Sequence, residues 1–224
     1  MCGRFTLFTD FGTIIDRFNI DSAIEESHYN PNYNVAPSQS VLSVINDGEK
    51  NRLGYLRWGL IPPWSKDMKI GYKMINARSE TIAEKPSFRN AYKKKRCLIL
   101  ADSFYEWKRT DERKIPMRIK LKNDQPFGMA GLWESWKSPE GEMIYSCSVI
   151  TTQPNKLMTE IHDRMPVILK PEDEQFWLNP TNTDTNSLSK LLVPFDFEQM
   201  EAFEVSSDVN SPKNNSPSLI QQIC

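Results

Sequence analysis

The second residue of the chain is a cysteine, and a cysteine at this position can carry unusual chemistry. If Met1 is removed, Cys2 becomes the first residue and holds an α-amine and a thiol on adjacent carbons. An α-amine titrates near pH ~8 and a thiol near pH ~8.5, so both have a nucleophilic fraction at neutral pH. The amine can condense with an aldehyde to an imine, and the thiol can then close a five-membered thiazolidine ring. The competing interpretation is that Cys2 is simply part of a frayed chain start.

Two further positions could transfer protons. Glu106 stands among Phe104, Tyr105 and Trp107, and apolar neighbours raise the pKa of a carboxyl group, which makes it a better proton shuttle near neutral pH. A strand-edge glutamate facing water is the alternative. His162 precedes an aspartate, an arginine, a methionine and a proline, a context that favours an acid–base group in a cleft as much as a structural histidine.

Two segments could contact a nucleic acid. Trp58 and Trp64 flank a pair of prolines and could form a stacking platform for a base or sugar, or else a buried aromatic corner. The basic run 93–96 ends a segment that also holds Lys85 and Arg89. Such a run is usually a solvated helix face, and nucleic-acid contact is the alternative.

Composition narrows the function classes. The 224 residues are 39% hydrophobic and 25% charged with a net charge of −1, which is ordinary for a globular protein and gives no overall basic field. No apolar run approaches the ~20 residues of a membrane span, and the start lacks the apolar core of a signal peptide, so we expect a cytoplasmic protein. Two histidines and no C-x-x-C pair argue against a structural zinc site, and we expect Cys97 and Cys147 to be small core residues.

The elements that must position these residues are short. Strands are predicted at 41–45, 53–58, 97–101, 115–121, 127–133 and 143–151, and helices after Thr9 or Asp10 and at 85–95, 154–161, 171–178 and 186–192. Residues 21–34 are predicted to be loop. This pattern predicts a single α+β domain over 1–224, with a mostly antiparallel, barrel-like β core flanked by short helices and a peripheral tail at 216–224.

The joint order of the motifs resembles the SRAP family, the SOS-response-associated peptidase-like proteins known as abasic-site processing proteins. The resemblance covers nearly the whole chain. It rests on the following segments: Cys2-Gly3-Arg4, Asn34-Val35-Ala36-Pro37, Trp58-Gly59 with Pro63-Trp64, Asn76-Ala77-Arg78-Ser79-Glu80-Thr81, Phe104-Tyr105-Glu106-Trp107, His162-Asp163-Arg164-Met165-Pro166 and Val209-Asn210-Ser211-Pro212-Lys213.

The resemblance implies that the substrate is an abasic site in single-stranded DNA, whose ring-opened sugar is an aldehyde. Mature Cys2 would form a covalent thiazolidine crosslink with it and shield the lesion during the response to DNA damage. By the same resemblance, Asn76 would hold the amine and thiol, Glu106 would move protons, and His162 would assist closure or reversal. No cofactor and no metal are implied.

The resemblance also implies a DNA surface. Arg4, Arg78 and Arg164 would hold phosphates, because a guanidinium pairs well with phosphate oxygens, and Trp64 and Pro37 would stack or wedge against bases beside the lesion. We expect a monomer that contacts no membrane and is associated with the nucleoid when crosslinked.

Three other functions stay open at this stage. The four predicted catalytic residues also suit an N-terminal-nucleophile cysteine peptidase or amidase, which uses its α-amine as base and could remove Met1 autocatalytically. A non-catalytic single-strand binding module would use the same groove. A purely structural or regulatory protein would leave the clustered polar residues unexplained.

Overall fold

Two β-sheets make up most of the structure, a computed structural model that describes residues 2–223. The thirteen strands of this part of the chain are β1 Phe5–Leu7, β2 Ser22–Ala23, β3 Asn32–Val35, β4 Ser40–Asn46, β5 Asn51–Trp58, β6 Asn76–Arg78, β7 Arg96–Ala101, β8 Ser103–Arg109, β9 Lys114–Leu121, β10 Phe127–Lys137, β11 Met143–Thr152, β12 Met165–Pro166 and β13 Met200–Glu204. One sheet has the order β13-β9-β8-β1-β3 and is antiparallel throughout.

The second sheet closes into a small barrel. Antiparallel pairs link β5, β4, β7, β10 and β11 in turn, and β11 then pairs in parallel with β5 through Cys147 opposite Trp58. Closure removes the free edges that an open sheet would expose. The short strand β6 pairs in parallel with β11, which brings Asn76 opposite Val149.

Short helices cover the sheets. They are α1 Phe11–Arg17, α2 Arg89–Lys94, α3 Lys156–Thr159, α4 Pro171–Leu178 and α5 Thr185–Ser189, with short 3₁₀ helices at Glu26–His28, Met68–Lys73, Phe197–Gln199, Ser207–Asn210 and Pro217–Ile220. Among the described residues no helix is long and apolar enough to cross a membrane. The predicted fold, an α+β domain around a mostly antiparallel, barrel-like core, is confirmed.

Local signals located several elements correctly. Asp10 caps α1 by accepting a hydrogen bond from the Thr13 amide at 2.9 Å, and Ile14 of that helix is fully buried. The predicted hairpin is β4 and β5, which meet at Asn46 opposite Asn51. The continuous apolar run at 97–101 is the fully buried strand β7.

The prediction that residues 21–34 are loop was wrong, because β2 lies within them and β3 begins at Asn32 and pairs with β1. The tail at 216–224 was predicted to be peripheral. Most of its described residues are exposed, but Leu219 is 1% exposed and packs in a cluster with Tyr105 and Val209. Cys224 lies outside the described residues.

The basic run 93–96 divides into two kinds of residue. Lys93 and Lys94 are exposed, whereas Lys95 pairs with Glu134 at 2.6 Å. Arg96 is 2% exposed and donates to four backbone carbonyl groups, which include those of Tyr92 and Trp177. Its guanidinium satisfies buried acceptors and anchors α4 to β7, a structural use that the charge pattern does not reveal.

The inside of the barrel is tightly packed. Cys97 and Cys147 are fully buried, as predicted, and burial raises the pKa of both thiols. Gly131 lies opposite Cys97, where a Cβ atom would stand 2.8 Å from the Cys97 Sγ atom. The absent side chain of Gly131 makes room for the thiol.

Candidate active site

Cys2 lies fully buried where the two sheets meet. The chain passes from it into β1, whose ladder with β8 is extended by the Tyr105 amide donating to the Arg4 carbonyl at 2.9 Å. On the other side, the Asn76 side chain donates from Nδ2 to the Cys2 carbonyl at 2.8 Å. Thus β8 of one sheet and β6 of the other hold the start of the chain between them.

One polar atom of the Asn76 side chain makes no hydrogen bond to the described residues. Its Oδ1 is buried and has no hydrogen-bond partner within residues 2–223. A buried amide oxygen without a partner costs about 1–3 kcal/mol, so the site holds an acceptor that is ready for a donor. Through Nδ2, the same side chain already binds the Cys2 carbonyl.

The Cys2 thiol is neutral in this environment. Burial raises the pKa of the thiol, and the negative charge of Glu106 raises it further. A cysteine that attacks as a free thiolate needs the opposite surroundings, with nearby cations and some solvent exposure. This thiol therefore needs a base to take its proton as it reacts.

Glu106 occupies the place that such a base would take. It is carried by β8 and is 3% exposed, so the water-facing alternative is wrong. Burial raises the pKa of its carboxyl group, and the neighbouring His162 partly opposes that shift. A carboxyl group with a raised pKa can both donate and accept a proton closer to neutral pH.

His162 faces Glu106 from the segment after α3. Its Nε2 atom lies 3.8 Å from Glu106 Oε2, and a quarter of its side chain is exposed. Its Nδ1 atom lies 3.1 Å from the Arg164 amide nitrogen and 2.9 Å from Asp163 Oδ1.

The two contacts of Nδ1 exclude one another. The Arg164 amide can donate only to an unprotonated Nδ1, whereas the Asp163 carboxylate attracts only a protonated one. The neutral ring therefore bonds to the amide and keeps its proton on Nε2, toward Glu106. The charged ring bonds to Asp163 instead, so both protonation states have a partner.

The predicted DNA-binding residues lie in different settings. Arg78 is exposed at the end of β6, two residues beyond Asn76 and on the same face of the strand. Trp64 is 58% exposed in a turn that is anchored by Trp136 donating to the Ser65 carbonyl, whereas Trp58 is fully buried. Trp58 is therefore part of the core, and of the two only Trp64 is exposed enough to stack on a base.

Pro37 follows β3 and is half-buried, beside the buried Asn34. Asn34 donates from Nδ2 to the carbonyl groups of Val209, Ser211 and Asn214 at 3.3, 2.9 and 2.8 Å. The Asn34 motif therefore clamps the chain near residue 210 onto the sheet that carries the site.

Arg4 and Arg164 are engaged within the protein. Arg4 Nη1 donates to Asn34 Oδ1 and to the Val209 carbonyl at 2.8 and 2.7 Å. Arg164 is 9% exposed and forms a bidentate ion pair with Glu80, in which its two Nη atoms donate to the two carboxylate oxygens at 2.6 and 3.0 Å. Neither guanidinium is displayed to solvent as a ready phosphate clamp, and their contact with DNA stays a prediction.

The structure brings Cys2, Asn76, Glu106 and His162 together from four separate segments. Sequence reasoning missed the roles of Glu80 and Asn34. Both stand inside the motifs that the resemblance used, but their partners are 84 and 175 residues away, and no local pattern identifies them.

Comparison with known proteins gives a family. A family model described as SOS response associated peptidase matches residues 1–212. The chain is 65% identical over 222 residues to a Bacillus subtilis (strain 168) protein named abasic site processing protein YoqW, covering 99% of both. It is 34% identical to abasic site processing protein HMCES of Xenopus tropicalis, covering 89% of this chain and 68% of that one. A crystal structure of a Bacteroides thetaiotaomicron protein superposes with a TM-score of 0.91 at 31% identity over the full length of both chains. The chain belongs to the SOS response associated peptidase family.

Proposed function

We propose that this protein processes abasic sites in single-stranded DNA by forming a covalent thiazolidine crosslink through Cys2 once Met1 is removed. The convergence of Asn76, Glu106 and His162 on the buried Cys2 carries this proposal. The names of YoqW and HMCES, both abasic site processing proteins, support the choice of lesion.

The first step joins the α-amine of Cys2 to the aldehyde carbon C1′ of the ring-opened sugar. The nitrogen–carbon bond forms, a carbinolamine results, and water leaves to give the imine. Glu106 is placed to move the protons of these steps, because its buried carboxyl group has a raised pKa. The Asn76 amide orients the Cys2 backbone, and its unpartnered Oδ1 is available to hold the amine.

The second step closes the ring. The Cys2 sulfur bonds to C1′, the carbon–nitrogen double bond becomes single, and the thiol proton passes through a base to the ring nitrogen. His162 can serve in closure or reversal, since either of its protonation states has a hydrogen-bond partner. No oxidant or reductant is consumed.

A denaturing gel of the protein, with Met1 removed, mixed with an oligonucleotide that contains one abasic site tests the proposal. We expect an adduct that survives heat and denaturant, and we expect Cys2→Ala to lose it while Cys97→Ala, a matched buried thiol, keeps it. Protein that retains Met1 should form none. Absence of the adduct from the unmodified protein, or its survival in Cys2→Ala, would refute the proposal.

The rival function is an N-terminal-nucleophile cysteine peptidase, including autocatalytic removal of Met1. The buried thiol with its raised pKa favours crosslinking over thiolate attack on a peptide. Turnover of a peptide library under conditions in which no DNA adduct forms would favour the peptidase instead.

A further inference from the structure

A cleft leads away from the acid–base pair along the β8–β9 hairpin. It has a volume of about 440 Å³ and is lined by Glu106, Trp107, Arg109, Lys114, His162 and Asn210. Its Trp107 wall is held in place, since the indole nitrogen donates to Asn210 Oδ1 at 2.7 Å. The cleft is thus continuous with the reacting groups and has a fixed aromatic side.

Two exposed cations stand in this cleft. Arg109 and Lys114 are directly opposite each other in the β8–β9 ladder, so their side chains lie on one face with Cβ atoms about 5 Å apart. Neither forms an ion pair within residues 2–223, whereas the adjacent Arg113 pairs with Glu204 at 3.3 Å. Both side chains therefore carry a positive charge that no ion pair within the described residues holds, on a hairpin whose turn also contains the exposed Asp111 and Glu112.

The neighbouring branch has the opposite character. A second cavity of about 610 Å³ shares Trp107, Arg109 and His162 with the first but is also lined by Glu160 and Asp163. Arg109 stands between the two branches. Carboxylates repel a phosphate chain, so the branch that adds Lys114 to Arg109 suits a polyanion better than the branch that adds Glu160 and Asp163.

We propose that Arg109 and Lys114 form a phosphate subsite that holds the DNA strand on one side of the abasic site. The inference rests on the proposed function, because that function supplies the strand.

The test measures non-covalent binding to a single-stranded oligonucleotide with one tetrahydrofuran abasic analogue, which has no aldehyde. Affinity falls as salt rises. The double substitution Arg109→Gln with Lys114→Gln should make this fall less steep, by ~0.7 in the slope of log affinity against log salt for each phosphate that loses its cation. If the two proteins bind equally at ~1 M salt, this difference in slope makes the variant bind about 5-fold more weakly at ~0.1 M salt when the cations share one phosphate. The loss is about 25-fold when each cation holds its own phosphate. Lys93→Gln with Lys94→Gln is the matched control, since it removes the same charge from exposed positions outside the cleft, and should leave the slope unchanged.

Two shortened oligonucleotides, one truncated on the 5′ side of the analogue and one on the 3′ side, locate the subsite. The effect of the double substitution should persist on one truncated strand and vanish on the other. An unchanged slope, equal effects on both strands, or an equal effect of the control pair would overturn the inference. Because the analogue cannot crosslink, this result is independent of adduct formation: failure to crosslink a natural abasic site refutes the proposed function, not the subsite.

Discussion

Replacing Glu106 by Gln should slow crosslinking and stabilise the protein at neutral pH. Gln keeps the shape of the side chain but cannot ionise. Burial holds the pKa of the Glu106 carboxyl above its ordinary value of 4.5, so the folded protein keeps this proton to a higher pH than the unfolded chain does. Stability therefore falls as pH rises through the folded-state pKa and stays lower above it.

The two effects have separate magnitudes. Loss of a general acid–base group slows a reaction by about 10²- to 10⁴-fold. Each unit by which the pKa is raised corresponds to about 1.4 kcal/mol of unfolding free energy, which the ionised carboxylate removes and Gln restores. The stability advantage of Glu106→Gln should thus be larger at pH 8 than at pH 4, where both forms are neutral.

Single-turnover crosslinking and urea unfolding, each between pH 4 and 9, measure the two effects. Glu134→Gln is the control: Glu134 is also a buried strand glutamate, but it pairs with Lys95 at 2.6 Å. It should lose stability and keep its crosslinking rate. An unchanged rate in Glu106→Gln, or a stability advantage over the unmodified protein that is independent of pH, would refute the reasoning.

Three further substitutions probe the fold and the site. Gly131→Ala should lower the free energy of unfolding in urea by about 1–3 kcal/mol, because its Cβ would meet Cys97 Sγ at 2.8 Å. Adding Cys97→Ala should recover part of that loss, and additive effects of the two substitutions would contradict the packing argument. Asn34→Ala should cost about 2–4 kcal/mol, because the Ser211 and Asn214 carbonyl groups lose their donor and Arg4 loses the Asn34 Oδ1 acceptor. A loss below ~1 kcal/mol would count against the clamp. Asp163→Asn should slow crosslinking by no more than about 5-fold, because the ion pair of this 83% exposed carboxylate with the charged His162 ring is worth no more than ~1 kcal/mol. A larger loss of rate would give Asp163 a direct part in the reaction.

Residue patterns predicted the elements that local physics determines. The Asp10 cap, the β4–β5 hairpin and the buried strand β7 follow from capping, turn and hydrophobic signals within a few residues of each other. The direction of the Glu106 pKa shift agrees with the prediction, but its cause is the burial of the carboxyl group in the folded protein.

Long-range partners account for what the patterns missed. β3 was predicted as loop because its pairing with β1 depends on residues about thirty positions away. Arg96 was taken for part of a solvated run because its carbonyl partners on Trp177 and Asn179 are more than eighty residues distant. The burial of Leu219 in the tail could not be predicted because the surface that buries it is made by Tyr105 and Val209.

The hydrogen bond from Arg4 to the Val209 carbonyl also bears on the order of events during synthesis. The two residues are 205 positions apart, so at ~5–20 residues per second the ribosome makes the second about 10 to 40 s after the first. During that interval the pocket that buries Cys2 is incomplete, and the start of the chain is accessible to enzymes. Removal of Met1 in this interval acts on an extended segment, whereas removal after folding must act beside a fully buried residue. A chain whose Met1 is removed during translation would thus enclose its amine and thiol only as synthesis finishes.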